Sequence, residues 1–325
     1  VNLSMTGTLA ATYTSGSQRA RVVTESWGEQ NLYCPNCSSP KLNRLEHNTK
    51  ASDFSCPRCK FWYQLKGQKT PIRSSITDGA YESMMDAIRH DRTPNFYFMQ
   101  YELATWRIVN LLLVPHFAFP PSAIIKRKPL SATARRHGWV GCNFALDRIP
   151  IDARITIVRD QIIAPAGEVR DRFRKVKPLS ELSVTERGWT LDVLTIVRRL
   201  EAHGLGPEGG TPTGRIRTPE GGTGDPPVTV GNLPTGSSVF PAQGNLPAEI
   251  PSPRPASCRT VQAGGLCHPG REFTNQDIYA FERELETLHP GNRHIRDKIR
   301  QQLQVLRDLG LLHHLGRGKW SLKPG

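Results

Sequence analysis

Two kinds of reactive side chain interleave between residues 34 and 66. Cys34, Cys37, Cys56 and Cys59 form two C-x-x-C pairs, C-P-N-C and C-P-R-C. Each pair lets two sulfurs reach one ion, and the span between them is long enough to fold back. Four such thiolates suit a tetrahedral Zn2+. Asp53 precedes the second pair by three residues, and Phe61-Trp62-Tyr63-Gln64-Leu65-Lys66 follows it. In an extended strand Gln64 and Lys66 share one face while Tyr63 and Leu65 share the other. With Asp53-Phe54-Ser55 as a facing strand, the second cysteine pair becomes a hairpin tip and Asp53 lies beside Gln64 and Lys66. A carboxylate, a second oxygen ligand and a lysine so placed suit a divalent cation and an activated water, as phosphodiester cleavage requires. Zinc would hold the hairpin and the other triad would do the chemistry.

Several elements must position that hairpin. Residues 17–29 read as a helix with Ala20, Val23 and Trp27 on one face; Glu25 could approach the metal from it, but a surface glutamate is the favoured reading. Residues 76–90 read as a second helix with Ile76, Ala80, Met84, Ala87 and Ile88 as its buried stripe. Asn95-Phe96-Tyr97-Phe98 and Ile108 to Val114 are β-branched or aromatic runs bounded by prolines, hence strands. Together they predict an α/β or α+β domain over residues 1–180. Residues 181–203 hold a connecting helix with Trp189, Val193, Ile196, Val197 and Leu200 along one side. From 204 to 270 the chain has 14 glycines and 12 prolines without periodicity, the composition of a flexible linker. Cys258, Cys267 and His268 fall inside it.

The 325 residues carry a net charge of +14, which favours a polyanion partner and nucleic acid first among these. No acidic residue stands between Leu103 and Leu146, whereas Arg107, Lys126, Arg127, Lys128, Arg135 and Arg136 do. Arg135 and Arg136 suit phosphate contacts and Trp139 an aromatic face for a base; a core tryptophan beside a solvated basic loop is the alternative. Residues 271–325 read as two helices and a hairpin. Thr274 caps the first helix, with Ile278, Phe281, Leu285 and Leu288 inward; the second buries Ile295, Ile299, Leu303, Leu306 and Leu309. That outline is a winged helix, whose second helix would offer Arg293, His294, Arg296, Lys298, Arg300 and Gln301 to a major groove. Arg317 and Lys319 would form the wing. Seven cysteines, four in metal-like pairs, point to a reducing, cytoplasmic setting. No apolar run is long enough for a membrane span.

The chain resembles the DpnI-type methyl-directed restriction endonucleases. The resemblance is carried by S-Q-R-A-R, Y-C-P-N-C, I-T-D-G-A-Y-E-S-M-M, P-N-F-Y-F, R-K-P-L-S-A-T-A-R-R-H-G-W-V-G-C-N, R-G-W-T, H-I-R-D-K-I-R-Q-Q-L-Q-V-L-R-D and G-R-G-K. It covers residues 1–203 and 271–325. It implies an N-terminal PD-(D/E)xK nuclease domain with structural Zn2+ on Cys34, Cys37, Cys56 and Cys59, followed by a small winged-helix domain. It further implies catalysis by Asp53, Gln64 and Lys66 with Mg2+ held at Asp53 and Gln64. Double-stranded DNA with methylated adenine in GATC would be the partner of a monomer, read by both domains. Position 64 departs from the family pattern, which has glutamate there. An amide oxygen can coordinate Mg2+ but brings no charge. Two functions therefore stand side by side: an endonuclease, or a methyl-adenine DNA-binding protein whose cleavage is weak or lost. A non-specific zinc-ribbon DNA-binding protein is a third, which leaves Asp53, Gln64 and Lys66 on one hairpin unexplained.

Overall fold

The computed structural model describes residues 1–46, 52–203 and 272–323. Helix α1 (Gly16–Asn31) leads to two short strands, β1 (Asn43–Arg44) and β2 (Phe54–Ser55), and then to β3 (Trp62–Gln68). Next come β4 (Ser75–Ala80), α2 (Tyr81–Arg89), β5 (Asn95–Glu102), β6 (Arg107–Val114), β7 (Ile124–Lys126), β8 (Gly141–Ala145), β9 (Ile155–Arg159) and β10 (Ile162–Ile163). Helices α3 (Ala166–Val176) and α4 (Val184–His203) follow. The C-terminal part holds β11 (Glu272–Thr274), α5 (Asn275–Tyr279), α6 (Glu282–Leu288), α7 (Ile295–Asp308), β12 (Leu312–Gly316) and β13 (Lys319–Leu322). The expected linker over 204–270, with Cys258, Cys267 and His268, lies outside the described residues.

A seven-stranded sheet ordered β1-β2-β3-β5-β6-β9-β10 carries the N-terminal part. Only β3 and β5 run parallel in it, with Gln64 opposite Phe96 and Lys66 opposite Phe98. Strand β5 is buried along nearly its whole length, as a central strand covered on both faces must be. On one face Phe96 and Phe98 meet Phe144 of the small sheet β4-β8-β7, with ring centroids 4.9 and 5.4 Å apart. Helix α1 covers the opposite face around β2 and β3. Gly28 permits that approach, because a Cβ there would lie 2.6 Å from the Phe54 ring.

The helix expected over residues 76–90 begins only at Tyr81, and the first half of that stretch is β4. Ile76 sits opposite Phe144 on β8, so an apolar spacing that fits a helix instead serves a strand edge and a following helix. Cross-strand burial and the β-branched Ile76 and Thr77 decide the outcome. The helix expected from Thr274 to Leu288 also divides. Its Thr274–Asp277 capping box is present, but Phe281 leaves helical geometry and separates α5 from α6.

Helix α4 is apolar around most of its circumference, with Trp189, Leu191, Val193, Leu194, Ile196, Val197 and Leu200 all buried. Such a helix needs cover on more than one side. Towards the N-terminal part, Asp192 accepts a 2.6 Å hydrogen bond from Ser122 and Arg198 pairs with Asp152. Towards the C-terminal part, the Thr190 hydroxyl donates to Gln302 at 2.5 Å and Arg199 pairs with Glu284 at 2.6 Å. His289 lies 2.9 Å from the other Asp192 oxygen and stacks on Trp189 with centroids 3.7 Å apart. Helix α4 is thus shared by both parts.

The buried Thr190–Gln302 bond tests that packing. Thr190→Val should lower unfolding free energy by about 1–3 kcal/mol, because it leaves the Gln302 carbonyl buried and unpaired. Adding Gln302→Leu should restore part of the loss. Urea denaturation of the two single variants and the double variant measures the coupling.

Candidate active site

The hairpin forms as its spacing predicts. Phe54 pairs with Tyr63 and Ser55 with Trp62, so the Cys56–Cys59 turn is the tip between β2 and β3. Antiparallel pairing then sets Asp53 next to Gln64. The Leu65 amide donates a 2.8 Å hydrogen bond to Asp53 Oδ2, which fixes the carboxylate against the strand. Along β3, Tyr63 and Leu65 are buried while Trp62, Gln64 and Lys66 face the open side. Trp62 is 57% exposed at the end of that face.

The four cysteines converge. Their sulfurs all lie within 4.8 Å of one another, with Cys34–Cys59 and Cys37–Cys56 each 3.5 Å apart. Four sulfur donors at that separation fit a zinc ion, which these residues would hold as a closed structural site. Burial pushes the Cys34 and Cys37 thiols up. Burial opposes the Cys56 thiolate as well, but amide hydrogen bonds from Cys59 and Arg58 outweigh it and bring Cys56 down to about 7. A bound cation offsets the cost of burying thiolates.

Arg170 on α3 braces the knuckle in a way the sequence does not announce. Its guanidinium donates to the carbonyls of Cys34 and Cys37 at 3.2 and 3.0 Å and lies over the Tyr33 ring. Behind the hairpin, the Asn95 side-chain amide donates to the Trp62 carbonyl oxygen at 2.9 Å. Its oxygen accepts from the His116 backbone at 3.0 Å. The His116 ring packs edge-on to Phe61.

Charge around Asp53 is balanced by long-range contacts. Burial raises the Asp53 carboxyl above its usual range; the Leu65 amide opposes the rise, Glu25 adds to it, and Lys66 and Arg21 lower it. Glu25, expected at the surface, is 7% exposed. Arg21 holds it at 2.5 Å and Arg44 at 2.6 Å, so two guanidinium groups compensate its burial. Lys66 Nζ is 2.5 Å from Asp78 Oδ1 on β4. The helix expected over residues 76–90 would have contained Asp78; instead Asp78-Gly79, a dipeptide unfavourable in a helix interior, lies within β4.

Among the residues expected to touch DNA, Arg135 and Arg136 are exposed on the loop between β7 and β8. Trp139 is half-buried, with its ring against Gly141 and the Arg136 guanidinium 4.9 Å above it. In the C-terminal part, β12 and β13 flank the Gly316-Arg317-Gly318 turn and β11 adds a third strand to the sheet. Arg293, His294, Arg296, Arg300 and Gln301 are exposed on or just before α7, with Lys298 half-exposed beside them. Arg296 pairs with Glu282, Arg300 with Asp297, and Lys298 donates to Gln301. Arg317 and Lys319 are exposed at the hairpin tip. The structure therefore assembles two separate groups: Asp53, Gln64 and Lys66 on the β2–β3 face, and the basic residues of α7 and the wing.

Residues 1–182 match the family model described as DpnI, Dam-replacing family. Residues 268–321 match the one described as DpnI_C, Dam-replacing HTH domain. The chain therefore combines a mixed α/β domain bearing a four-cysteine cluster with a small C-terminal helix-turn-helix domain. Among the described residues, no helix is long and apolar enough to cross a membrane.

Two measurements probe the scaffold of this site. Zinc analysis should find one ion per chain, and Arg170→Met should speed its loss to a chelator about tenfold by freeing the knuckle carbonyls. The second concerns His116, which burial pushes down to about 4, with Arg187 adding and Asp91 opposing. The unfolded chain, with an ordinary histidine near 6.5, then binds more protons between those pH values. Stability present above about pH 6.5 falls as pH drops towards 4, by up to about 3 kcal/mol. His116→Leu should flatten that slope in denaturation curves taken across the window.

Proposed function

This chain belongs to the DpnI, or Dam-replacing, family, and from that membership we propose that it is a Mg2+-dependent restriction endonuclease. It would cut double-stranded DNA at GATC sites whose adenine carries an N6-methyl group. The observation that supports the reading best is the 2.8 Å hydrogen bond from the Leu65 amide to Asp53. It ties a half-buried carboxylate to the strand that presents Gln64 and Lys66.

Asp53 and the Gln64 amide oxygen are hard oxygen donors and suit Mg2+, which they would hold with one negative charge between them. A bound Mg2+ supplies positive charge at the scissile phosphate and lowers the pKa of a coordinated water. Lys66 donates hydrogen bonds from its ammonium to a phosphate oxygen as negative charge builds there, and it orients the attacking water. Because Gln64 is neutral, the site should need more Mg2+ than one with two carboxylates. The zinc knuckle holds β2 and β3 in register beneath these groups.

Arg135 and Arg136 would contact backbone phosphates, and Trp139 would offer an apolar surface to the added methyl group. In the C-terminal domain, Arg293, His294, Arg296, Lys298, Arg300 and Gln301 would address the major groove, with Arg317 and Lys319 on the flanking backbone. The arginines now paired to Glu282 and Asp297 would exchange solvent-accessible carboxylates for phosphates or bases, a modest loss for solvated ion pairs.

The deciding experiment digests one plasmid, prepared with and without GATC adenine methylation, in the presence of Mg2+. Discrete fragments from the methylated plasmid alone are expected, and Asp53→Asn should abolish them while methyl-dependent gel shifts persist. Methyl-dependent binding by the wild-type protein without any cleavage would make it a reader of the mark instead. Equal treatment of both plasmids in both assays would refute methyl recognition.

A further inference from the structure

We propose that Asp78 is the positioning residue for Lys66, an inference that rests on the nuclease reading above. Lys66 lies on β3 of the large sheet, whereas Asp78 comes from β4 of the small one. Their ion pair, at 2.5 Å, joins the two sheets at the open face where Gln64 and Asp53 also stand. The Asp78 side chain is only 8% exposed and that of Lys66 27%. A carboxylate buried to that degree persists because a cation compensates it, and the pairing is correspondingly directional.

The backbone of β4 is shaped around this contact. Ser75, Ile76 and Thr77 follow the ladder to β8, and the register then slips before Ala80 pairs with Gly141. Asp78 and Gly79 occupy the slip. Irregularities of this kind re-aim a side chain that the regular pleat would send elsewhere. Behind them, the buried Cys142 thiol lies 3.6 Å from the Gly79 carbonyl, which closes the far side of the slip.

The chemistry gives this geometry a use. A lysine ammonium is a compact charge on a flexible stem, so alone it samples many positions around a strand. Within β3 its same-face neighbours Trp62 and Gln64 carry no charge to restrain it. Asp53 attracts it from one side and Asp78 binds it from another. Lys66 is thereby held beside Asp53 before DNA arrives, and its reach towards a phosphate is limited to a short arc. Loss of Asp78 should slow the chemical step and leave the capture of DNA alone.

The test compares wild type, Asp78→Asn and Asp78→Glu on methylated plasmid under Mg2+. Asp78→Asn keeps the shape and removes the charge. It should lower kcat about 10- to 100-fold, with KM and methyl-dependent gel shifts within about twofold. Asp78→Glu, which restores the charge on a longer stem, should recover most of the rate. Unchanged kcat in Asp78→Asn overturns the proposal, as does a rise in KM at unchanged kcat. Loss of DNA binding and melting temperature together with kcat in both variants also overturns it, because Asp78 would then be structural only. A wild-type protein that cuts no DNA overturns the nuclease reading itself, and this inference with it.

Discussion

The register between β2 and β3 is the constraint on which the site depends. A slip of one residue would turn Gln64 and Lys66 into the core and bring Tyr63 and Leu65 to the surface. Strand β2 has two residues, too few to fix a register by backbone pairing alone. Two other attachments do so. At the tip, four sulfurs gathered within one ion's reach would, with a metal bound, tie the start of β3 to the chain after α1. Along its far edge, β3 is paired over six positions with the buried strand β5. Arg170 and Asn95 then clamp the loop ends from α3 and β5.

Polar groups inside the fold are joined in pairs that link distant elements. Glu25 unites α1 with β1, Asp78 unites the two N-terminal sheets, and Asp192 receives Ser122 on one oxygen and His289 near the other. Each buried group makes separation of its partners costly, since either partner alone would be left unsatisfied in a dry setting. Helix α4 collects several of these links, so the N-terminal part and the helix-turn-helix part share a boundary in which largely buried polar pairs such as Thr190–Gln302 and Asp192–His289 sit among apolar side chains.

The hairpin was legible because its signals are local. Cysteine spacing and the alternation of Tyr63-Gln64-Leu65-Lys66 place four ligands, one tip and one open face without knowledge of the rest of the chain. Helix α4 and the capping box at Thr274 were legible for the same reason. Stretches whose fate depends on remote partners were not. The apolar spacing of Ile76 to Ile88 fits a helix, and only Phe144 on β8, sixty-eight positions on from Ile76 in the pairing, makes its first half a strand. Glu25 looked solvated because nothing near it in sequence beyond Arg21 forecasts Arg44. Asp78 and Arg170 escaped notice because their partners lie across the fold, where one chain read alone offers no pairing signal.

The placement of α4 also bears on how much chain can stand between it and the C-terminal domain. The Thr190–Gln302 bond closes a separation of 112 residues, of which positions 204–271 lie between α4 and β11. Counted as wholly free chain, a stretch of that length raises the loop-closure entropy by only about 1 kcal/mol, since the cost grows with the logarithm of length. Burial of a single large apolar side chain of α4 contributes about 1.5–3 kcal/mol. Thermodynamics therefore places little limit on insertion at this point, and the length of the excursion is open to selection for other properties.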